Sequence, residues 1–134
     1  MLRIDLFIKR CYNHNEGRDY MSKNLLLTYS EQLAIDTEKL CQNIKAPSNT
    51  LFQLRKCSSS VYANIREANY GQSRADMLSK FEIALKEANE TEGWLKILFE
   101  SNVIDDKTHK AYRNLCGRIR RLLIASCKTL KYSN

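Results

Sequence analysis

The sequence predicts an all-α protein, an up-down-up-down four-helix bundle, and three observations carry that expectation. Its 134 residues include a single Pro and only four Gly, so few positions interrupt a helix. Four segments carry apolar residues spaced three and four apart, the period of one helix face. Three short joints, at Pro47, at Gly71 and between Glu100 and Asp105, have the length that connects antiparallel neighbours.

Residues 1–20 do not share this pattern. The apolar start at 2–8 is too short for a stable helix of its own, and the polar stretch 13–19 reads as a turn. They are expected to form an N-terminal extension outside a bundle made by residues 21–134. Helix 1 is expected over about 22–44, with Leu26, Tyr29, Leu33, Thr37, Leu40 and Ile44 as its stripe. Pro47 closes it, since the residue before a Pro disfavours helix. Helix 2 starts near 48–50, where Thr50-x-x-Gln53 has the spacing of a capping box. Its stripe is Leu51, Leu54, Ser58, Val61, Ile65 and Ala68, and Gly71 is placed to stop it. At about 100° per residue, Gln53, Ser60, Asn64 and Glu67 line one flank of that stripe. Arg55, Tyr62, Arg66 and Asn69 line the other.

Helix 3 begins at Ser73, a capping residue with Asp76 in the first turn, and runs to about 100. Its stripe is Met77, Phe81, Ala84, Ala88, Thr91, Leu95, Leu98 and Phe99. Ile83, Trp94 and Ile97 form a second apolar line, with Glu87 and Glu90 beside it. One core needs one such line, so the second points to an oligomer interface. The two carboxylates are expected to pair with Arg55 or Arg66 of an adjacent subunit. Helix 4 starts near 105–108 and runs to about 130, with Tyr112, Leu115, Ile119, Leu122, Leu123, Ser126 and Leu130 facing inward.

The run Gln53-Leu54-Arg55-Lys56, then Ser60-Val61, Ala63-Asn64-Ile65 and Glu67-Ala68, resembles the bacterial four-helix-bundle proteins related to the 23S rRNA intervening-sequence protein. The likeness continues through Gln72-Ser73-Arg74-Ala75-Asp76, Lys80, the stretch 83–91 and Trp94-Leu95, and covers about 22–131. Tyr62, Met77 and Gly93 depart from that pattern, which usually has Gly, Phe and Tyr. The resemblance implies an all-α bundle. More distantly, it implies a relationship to the accessory variability determinant of diversity-generating retroelements, hence a ring-shaped homopentamer with nucleic-acid affinity.

The net charge of +7 is concentrated in one segment. Residues 107–134 contain eight cations and no Asp or Glu, leaving 14 Lys or Arg against all 15 acids in the first 106. The eight are Lys107, Lys110, Arg113, Arg118, Arg120, Arg121, Lys128 and Lys131. They fall on the half of the helix wheel away from the core. A face of one sign suits the nucleic-acid phosphate backbone, and no motif for reading bases is present.

Signals for chemistry are weak. Glu67 has no His, second carboxylate or nucleophile spaced to work with it, and Gln53, Ser60, Asn64 and Glu67 read as a structural polar cluster. Glu87 and Glu90 lack the Glu-x-x-His partner of a di-iron bundle, and no glycine-rich phosphate loop occurs. His14 and His109 read as surface residues. Five cysteines, at 11, 41, 57, 116 and 127, show no C-x-x-C; Cys41, Cys57 and Cys127 are expected reduced in or near the core. No metal or cofactor is expected. No stretch reads as a signal peptide or membrane span, so a cytoplasmic location is expected. The functional expectation is a non-enzymatic homo-oligomer that binds RNA or DNA through its backbone. The alternative is a scaffold whose basic face docks an acidic protein.

Overall fold

The computed structural model describes residues 15–132, with side chains described from Leu25 onward. Four helices follow one another: α1 (Asn15–Asn43), α2 (Ser48–Asn69), α3 (Arg74–Glu100) and α4 (Asp106–Tyr132). Each packs chiefly on the two beside it, in the ring order α1–α2–α3–α4 and back to α1. This is the expected all-α four-helix bundle.

The helix ends differ from expectation in three places. Residues 15–19, expected as a turn, belong to α1; their one Gly costs a helix only about 1 kcal/mol, and no Pro stops the helix from extending. Residues 1–14, including the apolar stretch 2–8, lie outside the described residues. The capping box at Thr50 does not form, because α2 begins at Ser48 behind Pro47 with no side-chain cap. Proline's fixed φ sets the turn there instead. Gly71 does not take a left-handed conformation. Its role is close approach: a Cβ there would lie 3.1 Å from the Ala68 carbonyl oxygen and 3.2 Å from Asp76 Oδ2.

Other ends follow the sequence. Ser73 Oγ accepts from the Asp76 amide at 3.0 Å, and Asp105 Oδ1 accepts from the Thr108 amide at 2.8 Å. The end of α3 carries a signal the sequence reading missed. Asn102 has φ 61°, with Asn102 N–H donating to Phe99 O at 3.0 Å and Val103 N–H to Leu98 O at 2.9 Å. These two bonds and the left-handed residue make a Schellman motif, in which Asn replaces the usual Gly.

The core follows the predicted stripes of α2 and α3. Ser30, Thr37, Ser58 and Thr91 are buried among the apolar residues. Three of their hydroxyls donate to carbonyls of their own helices: Ser30 to Leu27, Ser58 to Arg55 and Thr91 to Glu87. Such bonds satisfy a buried hydroxyl locally. The inward line of α4 needs correction. Tyr112, Cys116, Ile119, Leu123 and Cys127 are buried, whereas Leu115, Leu122 and Leu130 only flank the core. His109, expected at the surface, is buried and stacks on Phe99 with ring centroids 4.4 Å apart. The stack supplies an apolar face that a lone surface histidine would lack.

Candidate nucleic-acid interface

With Tyr112, Cys116, Ile119 and Leu123 turned inward, the opposite side of α4 exposes Lys107, Lys110, Arg113, Arg118, Arg121 and Lys128. The eight predicted cations nevertheless divide into groups. Arg120 is half-buried and donates to Glu92 of α3. Lys131 pairs with Glu82 of α3 at 3.2 Å, and Lys110 with Asp106 one turn earlier at 2.9 Å. Arg118 lies over the Tyr29 ring of α1, 5.9 Å from its centroid, a cation–π geometry. Lys107, Arg113, Arg121 and Lys128 form no ion pair among the described residues. The Arg121 and Arg120 guanidinium groups lie over Gly117, 3.4 and 3.8 Å from where a Cβ would stand.

The polar flank of α2 is only partly a cluster. Asn64 Nδ2 donates to Ser60 O at 2.8 Å and to Ser60 Oγ at 3.0 Å. Glu67 turns away to Lys80 of α3 at 3.0 Å, and Gln53 makes no hydrogen bond to the Ser60–Asn64 pair. The opposite flank is occupied within the chain. Arg55 donates two hydrogen bonds to Glu38 of α1, at 3.0 and 3.2 Å, and Arg66 donates to the Tyr62 hydroxyl at 2.7 Å. Both arginines proposed for neighbouring carboxylates therefore already have partners.

On the outer side of α3, Ile83 and Ile97 are 40% and 50% exposed, and an added Cβ at Gly93 would meet nothing within 4 Å. Trp94 is half-buried against the core, so it belongs to both surfaces. Burial first, then Glu90, pushes the Glu87 carboxyl upward, while Lys86 and Lys56 act in the opposite sense. Phe52 on α2 is 59% exposed; the sequence reading passed over it although it lies off the Leu51–Leu54–Ser58 stripe.

Cys41, Cys57, Cys116 and Cys127 are free and buried, and burial pushes the Cys116 thiol up to about 12. Such thiols are poor nucleophiles at neutral pH. Among the described residues no group of three or more His, Cys, Asp or Glu is placed to hold a metal ion. None of the described helices is long and apolar enough to cross a membrane.

Two comparisons bear on this architecture. No curated protein matches the chain significantly. A crystal structure from Bacteroides thetaiotaomicron VPI-5482, described as a protein with unknown function from the S23 ribosomal protein family, is similar at 36% identity and a TM-score of 0.76. The match covers 81% of this chain and all of that one. The family model for the 23S rRNA-intervening sequence protein matches residues 23–125, from about two turns into α1 to the last turns of α4. The four-helix ring, the matched span and the shared fold place this chain in the 23S rRNA-intervening sequence protein family.

Proposed function

We propose that this chain is a non-enzymatic, cytoplasmic, self-associating bundle that binds nucleic acid through the phosphate backbone. The observation that carries the reading is the outward face of α4. Lys107, Arg113, Arg121 and Lys128 stand there without ion-pair partners among the described residues, in a segment, 107–134, that contains no acid. Aligned cations of one sign attract phosphates without regard to base sequence. A closed homo-oligomer, with the pentamer as the form the family resemblance suggests, would repeat the face around a ring and turn weak single contacts into avidity.

Affinity for RNA or DNA is expected to fall steeply with salt. Arg121→Glu combined with Lys128→Glu is expected to abolish binding while circular dichroism stays that of the wild type. Salt-insensitive binding, or binding intact in the double variant, would sink the reading. Docking of an acidic protein is the rival, and nucleic acid co-purifying with the wild type, seen in its absorbance ratio, separates the two.

A further inference from the structure

The two grooves beside α4 differ in charge. On the α3 side, Glu92 binds Arg120 and Glu82 pairs with Lys131, so carboxylates of α3 occupy cations of α4. On the α1 side the balance is reversed. Lys39 of α1 and Lys107 of α4 both line a shallow groove of about 550 Å³, with Asn43 and Tyr112 among its other walls. Neither lysine has an ion pair among the described residues, although the Lys107 charge acts on the nearby Asp105 carboxylate. Asp36 is the one carboxylate lining the groove, and it accepts from Gln32 at 2.7 Å. Glu38, two positions on, is turned toward α2 by Arg55. Farther along the same seam Arg118 reaches across to Tyr29, eleven positions and about 16 Å of helix from Lys107.

We infer that this α1–α4 groove seats a single strand of nucleic acid, its phosphates held among Lys39, Lys107 and Arg118. The inference rests on the binding reading above and adds a wall from a helix outside the basic segment. Packed helix axes lie about 8–10 Å apart, so the cleft between two crests is too narrow for a whole duplex to enter, and a single strand is the occupant that suits it. The planar Arg118 guanidinium on Tyr29 offers a surface on which an unpaired base stacks. An anion approaching the other groove would meet Glu82 and Glu92.

The test uses the full chain and a fluorescein-labelled oligo(dT) of about 16 nucleotides, followed by anisotropy over a range of salt. Lys39→Ala, checked for folding by circular dichroism, is expected to weaken binding roughly threefold and to reduce the log–log salt slope by about 0.7, one phosphate contact on a single strand. A duplex of equal length is expected to bind without dependence on Lys39. If Lys39→Ala changes neither affinity nor slope while Arg121→Glu/Lys128→Glu abolishes binding, the groove assignment fails and the binding reading survives. Failure of the wild type to bind at low salt overturns both. Displacement of the oligonucleotide by poly-glutamate with the same Lys39 dependence would assign the groove to an acidic peptide and overturn the choice of nucleic acid.

Discussion

Glu87 shows how much one position on a helix depends on what surrounds it. Burial raises its carboxyl pKa most, Glu90 adds to the rise, and Lys86 and Lys56 oppose it. A raised pKa in the folded state means the fold holds this proton more tightly than the unfolded chain does. Its contribution to stability is therefore full below the ordinary carboxylate range and is lost as pH rises through the folded value. Glu87→Gln is expected to raise the melting temperature at pH 7 more than at pH 4. Equal effects in thermal melts at the two pH values would show that the carboxylate is solvated like any surface acid. Thr37 poses a different case: its buried Oγ1 has no partner in strict hydrogen-bond geometry, and the Tyr112 hydroxyl of α4 is the group that interacts with it. The place of Thr37 on the α1 stripe is set by the 3–4 spacing, and its burial follows from the helix period.

At the scale of elements, regular spacing was the readable part. The stripes of α2 and α3 came through almost residue for residue, because 3.6 residues per turn is a property of each helix alone. What the stripes leave open is the rotation of one helix against its neighbours. That rotation puts Cys116 rather than Leu115 in the core, and brings Arg120 to Glu92, 28 positions away. The burial of His109 has the same origin, since its stack on Phe99 crosses from α4 back to the end of α3. Of the candidate site, the cations were legible as a group, but their partners were not. Gly93 offers a test at this scale. It lies inside α3, about two turns before its end, and a Cβ there meets nothing within 4 Å, so Gly93→Ala is expected to stabilise the protein by about 0.5–1 kcal/mol in urea unfolding, the helix-propensity difference. A loss of stability would mean that another surface already fills the space beside it.

For the molecule as a whole, the exposed line on α3 separates assembly from folding. Ile97 is half exposed, while Trp94 packs partly on the core. Ile97→Glu is therefore expected to give a folded, helical monomer by light scattering and circular dichroism, and Trp94→Glu to cost stability as well. A wild type that is monomeric at tens of micromolar would leave the α3 face without an assembly role. The ring order of the helices also has a kinetic side. Three of its four seams join helices adjacent in the chain, linked by four or five residues, and these close as local hairpins. The fourth brings Tyr29 to Arg118, 89 positions apart, and must overcome the largest loop-closure entropy. Loop-closure entropy therefore makes the α1–α4 seam the one expected to form last. Stopped-flow kinetics check this: weakening the α2–α3 hairpin is expected to slow folding, and weakening the α1–α4 seam to leave its rate unchanged. A ligand that spanned that seam would tie α1 to α4, and its binding free energy would then add to the stability of the closed fold.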